Sequence, residues 1–314
     1  MDDANWLKNE AASMSVREAS RKAFFLSKAF GMYPYGDDLR LNWKLLSYSL
    51  CLVLTTVGLA VYNTIQVETG TIDVFIGRVE FISLSASVVV GYVKMLTARS
   101  DLRDFFAAYE RVHADLVPVG LTTSYANKEI YLSACFSLVS LTMISLVDLG
   151  MDSFQDELSA YWLTWTLFSY LGWAMQDSCV RQFTALLHYL KNDFVRLKLF
   201  LRETARSPNL NCRDTKIEAA ASAHDSLTTV CAKLNSIYSI QLLFIVTNDF
   251  VILVISTYYI LAIAGTLKKL RLVVLIITEI LRAILYIVQM WHICSSCQDT
   301  SEQACYVYSS YTLL

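Results

Sequence analysis

Six stretches of this chain are long and apolar enough to cross a bilayer, and nothing else in the sequence constrains the fold as tightly. A helix needs about 20 mostly apolar residues to span the hydrocarbon core. The stretches run over 45–62, 74–93, 130–149, 161–180, 237–264 and 272–291. Composition agrees with that reading. The chain is 55% hydrophobic and 17% charged, whereas soluble domains run to about 45–50% apolar and about 25% charged. Intrinsic disorder needs the opposite balance. A net charge of −2 supplies no basic footprint for nucleic acid. The expectation is an all-α polytopic membrane helix bundle. It is one domain over 1–314 with six transmembrane helices, with membrane lipids as partners and no nucleic acid.

Positive charge orients the spans, because cytoplasmic loops collect Lys and Arg. The N-terminal segment carries Lys8, Arg17, Arg21, Lys22, Lys28, Arg40 and Lys44. The segment after the second span carries Lys94, Arg99, Arg103, Arg111 and Lys128, and the one after the fourth is also rich in both types. The loop after the third span has neither and holds Asp152, Asp156 and Glu157 instead. Lys268, Lys269 and Arg271 after the fifth span dissent. The balance places the N-terminus in the cytoplasm. No signal peptide opens the chain, and no Asn-x-Ser/Thr sequon occurs in it.

The cytoplasmic segments carry helical stripes. One runs through Phe183, Leu187, Leu190, Phe194, Leu197 and Leu201; a second through Ile217, Ala220, His224, Leu227, Cys231 and Leu234. Together they predict a helical region over 181–235, turning near Pro208, that extends the fourth span and leads into the fifth. A third stripe, Leu102, Phe105, Tyr109 and Val112, extends the second span toward a stop at Pro118–Gly120. Helices packed on one another fit these stripes better than helices lying on the membrane surface.

Catalytic patterns are absent. His113, His188, His224 and His292 are far apart, and neither His-Glu-x-x-His nor Gly-x-Ser-x-Gly occurs. His224, Asp225 and Ser226 are triad residue types, but adjacent helical residues point different ways. His292, Cys294 and Cys297 fall short of the ligand set that zinc takes, and cysteines at a membrane edge read as packing or acylation sites. The expectation is no enzyme, no metal and no cofactor. Pro34, Pro118 and Pro208 all lie outside the spans. Transporters often break helices at a midplane site, so their absence within spans argues against a transporter. It argues equally against a G-protein-coupled receptor.

Charges inside spans default to function. Asp249, Glu279 and Arg282 sit at similar depth in the fifth and sixth spans, which suggests an intramembrane charge cluster. A structural pair that fixes helix register is the competing reading. Aromatic residues gather at the outer ends of the spans, some as interfacial anchors and some as candidate pocket walls.

Three segments carry a family resemblance. Phe24–Pro34 is similar to the segment before the first span of the insect gustatory receptors, relatives of insect odorant receptors. His224–Leu243, with Leu227, Leu234, Asn235, Tyr238, Ser239, Gln241 and Leu242, is similar to that family's approach to its fifth span. Glu302–Cys305 resembles the segment before its last span. The family ends in a seventh span with Thr-Tyr, five apolar residues and Gln-Phe. This sequence stops at Leu314, so it reads as truncated before that span; Thr257–Tyr258 starts a lookalike that Ala264 and Gly265 do not complete.

The resemblance implies a plasma-membrane taste receptor for a small-molecule tastant, built as a subunit of a homo- or hetero-tetrameric ligand-gated cation channel. A non-conducting partner subunit, or another polytopic receptor or transporter, is the alternative. Outer-half position and side-chain type nominate Phe81, Ser145, Trp165, Phe168, Tyr259 and Glu279 for ligand contact.

Overall fold

The computed structural model describes residues 24–36, 39–66, 72–116, 135, 139–140, 142–143, 145–146, 160–206, 210–263 and 269–312. Six helices organise them: α1 (Trp43–Gln66), α2 (Ile72–Thr97), α3 (Arg99–Leu116), α4 (Ala160–Ala205), α5 (Leu210–Ile263) and α6 (Lys269–Thr312). Among the described residues no strand forms; a single antiparallel bridge joins Tyr35 and Leu41. The chain is a polytopic all-helical bundle.

Four of these helices are long and apolar enough to cross a membrane: α1, α2, α5 and α6. They hold the expected first, second, fifth and sixth spans. The expected third span falls mostly outside the described residues, though Cys135, Val139, Ser140, Thr142, Met143, Ser145 and Leu146 are helical. Pro118–Gly120 and Pro208 also lie outside them.

The expected fourth span forms a helix but lacks the apolarity of the other four, and burial supplies the reason. Every residue of α4 from 172 to 187 is buried. Gln176, Asp177, Arg181 and Gln182 sit in that stretch. A helix sheathed by other helices does not meet lipid tails, so it tolerates polar side chains that a lipid-facing helix excludes. The outer helices show the reverse pattern. Leu54 and Ile65 on α1, and Ile287 and Trp291 on α6, are exposed apolar side chains suited to lipid.

Length divides the molecule in two. α4 has 46 residues, α5 has 54 and α6 has 44, so each is roughly 65–80 Å long at 1.5 Å per residue. A bilayer core is about 30 Å thick. Each helix is therefore longer than the bilayer core is thick, and α5 and α6 carry segments apolar enough to cross it. The span half comprises α1, α2, the first part of α4, the last part of α5 and the first part of α6. The extension half comprises α3 and the remainders. α6 runs past the expected end at Trp291 to Thr312 as one helix.

The stripes read from sequence form the core of the extension half. Leu102, Phe105, Tyr109, Leu190, Phe194, Leu197, Leu201, Leu227 and Leu234 are fully buried in one cluster, joined by Val307 of α6. The peripheral-helix reading of these stripes does not hold. α2 passes almost directly into α3, with Ala98 N donating to Lys94 O and Leu102 N to Ala98 O.

The segment before α1 clamps this core. Gly31 takes φ +71°, a left-handed turn that glycine makes without a Cβ clash. That turn lets Phe24 stack on Tyr33 with centroids 4.6 Å apart. Tyr35 donates its hydroxyl to Met95 O at 2.7 Å, beside Leu96 O, at the end of α2. Burial pushes the Tyr35 phenol up to about 12, so it stays a donor at any physiological pH. Ser27 Oγ donates to Ser178 O of α4, and Asn42 Oδ1 caps α1 by accepting from Lys44 N and Leu45 N.

Candidate functional site

In the span half, α2, α4 and α6 enclose a cavity with about 30 Å³ of water-accessible volume. That is room for a water or two. Its walls follow from helical spacing. On α4, Trp165 and Thr166, then Ser169 and Tyr170, then Trp173 recur at three- to four-residue steps and present one face. α2 contributes Glu80 and Leu84; α6 contributes Arg282, Leu285 and Tyr286; Ser145 completes the lining. Glu80 is buried and Arg282 is partly exposed. The site thus combines aromatic walls, three aliphatic hydroxyls, two phenols, one carboxylate and one guanidinium. That mix suits a small ligand held by a few convergent polar groups between apolar faces.

Close helix approach shapes the site. A Cβ on Gly172 would lie 2.7 Å from Leu84 Cδ2. Only glycine lets α4 come this near α2 at the cavity's edge.

The six nominated contact residues separate into groups. Ser145 and Trp165 line the cavity. Phe81 and Phe168 brace Trp165 from behind, with Phe81 4.6 Å from the Trp165 ring and 5.1 Å from Phe168. Phe81 also faces a second, open groove between α1 and α2, about 330 Å³ and almost wholly apolar. Glu279 binds Arg282 Nη1 at 2.8 Å through one oxygen and accepts from Ser256 Oγ at 2.8 Å through the other. It therefore ties α6 to α5 and holds a lining residue from outside the cavity. Tyr259 packs on Tyr258, centroids 5.8 Å apart, away from the lining.

Of the suggested cluster of Asp249, Glu279 and Arg282, the last two form an ion pair. Glu279 and Arg282 are three residues apart on one helix and meet. Asp249 lies seven residues before Ser256, which is roughly 10 Å farther along α5. At that level α6 presents Tyr286, seven residues past Glu279, and the field of Asp249 reaches its hydroxyl. The charges of Arg282 and Glu279 reach the same hydroxyl.

Sequence reasoning missed Glu80, Thr166, Ser169, Tyr170, Trp173 and Tyr286. The α4 spacing carried a signal for most of them. It was masked because Trp and Tyr near a span end also read as interfacial anchors. Among the described residues, no three His, Cys, Asp or Glu side chains gather as a metal-ligand set.

The family model of the 7tm chemosensory receptors matches residues 21–308, nearly the whole chain. The chain belongs to the 7tm chemosensory receptor family. It is a multi-pass membrane chemoreceptor, and its family is one of receptors, not of enzymes. No curated protein matches the sequence. The match takes in the clamp before α1, the six named helices as far as Tyr308 in α6, and each described residue of the cavity.

Proposed function

We propose that this receptor is a taste receptor of the plasma membrane and a subunit of a tetrameric, ligand-gated cation channel. Its N-terminus faces the cytoplasm, and its cavity between α2, α4 and α6 takes a small tastant from outside. The observation that carries this reading is the cavity itself. It combines aromatic walls with Ser169, Thr166, Glu80 and Arg282 at one level of the span half. At rest it has room for a water or two, so a larger ligand moves Trp165, Tyr170 or Trp173. Ligand affinity for the widened state then biases the packing of α4 against α6. Because α4 and α6 run unbroken into the extension half, that shift reaches the far end of the molecule.

The test expresses the chain in cells, screens a panel of bitter and sweet compounds for evoked current and calcium entry, and labels an N-terminal tag. For any agonist found, Trp165→Ala and Ser169→Ala should each raise the half-maximal concentration about tenfold, a loss of roughly 1.4 kcal/mol. Tyr259→Phe, away from the lining, should leave it unchanged. Equal surface expression of all variants is checked in parallel. An agonist whose potency ignores every lining substitution, or a tag labelled from outside intact cells, would refute the proposal.

A further inference from the structure

The lipid-facing side of α6 ends at a definite level. Val273, Ile277, Ile280, Ile284, Ile287 and Trp291 are all exposed, at steps of four and three residues, so they form one apolar stripe. From Val273 to Trp291 the helix rises roughly 27 Å, against a bilayer core of about 30 Å. The stripe keeps the same rhythm through Cys294, Gln298, Ser301 and Cys305, which are also exposed, but large apolar side chains drop out of it. A tryptophan at the last apolar position marks a membrane–water interface.

A second observation fixes that level from the aqueous side. Lys191 of α4 and Asp299 of α6 pair with both side chains partly in water. The bilayer edge therefore falls in the interval between Trp291 and Asp299, about two helical turns. Cys294 and Cys297 both lie in that interval, and both are exposed free thiols. Cys294 stands in the stripe itself, one turn past Trp291. Cys297 flanks it, toward the buried face of Ile293 and Thr300. Partial burial and the neighbouring Cys294 hold the Cys297 thiol above its ordinary value, which lowers its share of the reactive thiolate. Cys305 is exposed as well, but it lies roughly 16 Å farther along the helix than Cys294, away from the bilayer.

This end of α6 belongs to the extension half, where α3 exposes Arg99, Arg103 and Arg111. Segments rich in Lys and Arg collect on the cytoplasmic side, where thiols stay reduced and acyl-coenzyme A is at hand. That is the orientation proposed above, and the inference rests on it.

We propose that Cys294 is a site of fatty acylation, with Cys297 as a secondary acceptor. Cysteines at the cytoplasmic edge of a span are the ordinary targets of this modification. The Cys294 sulfur attacks the carbonyl carbon of a fatty-acyl coenzyme A. A new carbon–sulfur bond forms, the acyl–sulfur bond of the donor breaks, and the thiol proton of Cys294 ends on the released coenzyme A thiol. No atom is oxidised or reduced, and the product is a thioester. The acyl chain then lies back along Trp291, Ile287 and Ile284, in the lipid that this stripe already meets. It ties α6 to the interface about two turns from Tyr286 in the cavity wall.

The test expresses the full-length receptor in cells fed an alkynyl palmitate, purifies it and couples a fluorophore to the alkyne. The parent should be labelled, and neutral hydroxylamine, which cleaves thioesters, should release the label. Cys294→Ser should lose most of the label, and Cys294→Ser combined with Cys297→Ser nearly all of it. Cys305→Ser should lose none. Each change replaces an exposed sulfur by oxygen, so surface expression and the size-exclusion peak should match the parent's. An unlabelled parent overturns the site. So does label that survives hydroxylamine, that is unchanged in the double variant, or that falls in Cys305→Ser. An N-terminal tag is probed from outside the same intact cells. A hidden tag on an unlabelled parent overturns the acylation and leaves the orientation standing. A tag reached from outside overturns the orientation and, with it, the site.

Discussion

The two halves of this receptor bury similar kinds of helix in different ways. The extension half is one continuous apolar core in which Phe194, Leu197, Leu201, Leu227 and Leu234 are fully buried. That core reaches into the span half at Val53, Val88 and Met175; beyond it the described residues of the span half form small separate clusters, Phe168 with Phe81 and Leu84 in one, Trp173 with Ile252 and Tyr286 in another. Between them lie buried polar side chains with unpartnered atoms, including Asp249, Asn248, Gln289, Ser169 and Trp173. The difference follows from the solvent. Where helices leave the bilayer, removing apolar surface from water drives association. Within it, lipid tails are as apolar as leucine, so close packing and polar contacts hold the helices instead. The extension half is built for permanence, and the span half keeps the cavity and the loose polar groups that a responsive site needs.

The sharpest way to break this comparison is a matched pair of truncations. Phe194 and Phe168 are both fully buried. Phe194→Ala should destabilise by about 3–5 kcal/mol, losing transfer energy and leaving a hole. It should abolish the folded peak in size-exclusion chromatography. Phe168→Ala loses packing but little transfer energy, because its unfolded reference is also lipid. Its loss of thermal stability should be less than half as large. Equal losses would refute the division.

Asp193 tests the extension half by pH. It is buried and accepts from the Tyr109 hydroxyl at 2.5 Å. Burial outweighs that bond and the nearby Arg196, and pushes the carboxyl from 3.8 up to about 6. The folded state therefore holds its proton more tightly than the unfolded chain does. This contribution is fully present below about pH 4, is lost as pH rises through about 6, and then stays flat. The loss is roughly 3 kcal/mol at about 1.4 per pH unit. Asp193→Asn should be more stable than the parent at pH 7, and the difference should vanish near pH 4. A constant difference across that range would mean that Asp193 does not titrate between the two states.

Much of this architecture was legible because water leaves a periodic mark on sequence. The stripe from Phe183 to Leu201, and the one through Leu102 and Val112, alternate apolar with polar because one face is wet; both proved to be core. α4 left the opposite mark. Its span carries Gln176 and Asp177 because neighbours shield it from lipid, and hydropathy records contact with lipid rather than depth in a bundle. The cavity was half legible. Ser145 and Trp165 line it, but Glu80 and Tyr286 join it only through the registers of α2 and α6 against α4, which no local pattern encodes. Asp249 was legible as an intramembrane charge, but which α6 side chains stand at its level depends on how far α5 and α6 are offset.

Within the span half, packing rather than polarity should set stability at Gly172. A methyl group there meets Leu84 at 2.7 Å. Gly172→Ala should destabilise by about 1–3 kcal/mol through overpacking. Adding Leu84→Ala should recover most of the loss, so the pair should be strongly non-additive. Additive losses would place the strain elsewhere and weaken the case for packing as the organising force in this half.

The smallest effect sharpens the comparison from the other side. Lys191 on α4 and Asp299 on α6 form an ion pair at 2.5 Å in the extension half. Their side chains are 29% and 45% exposed, so water already solvates both charges. Such pairs contribute about 0–1 kcal/mol and are screened by salt. Lys191→Met keeps the aliphatic stem over the helix and removes only the charge. It should lower Tm by a degree or less, with a shift that disappears at high salt. A loss approaching that of Phe194→Ala, whose ring packs on His224 of α5, would mean that charge, and not buried apolar area, holds the extension half together.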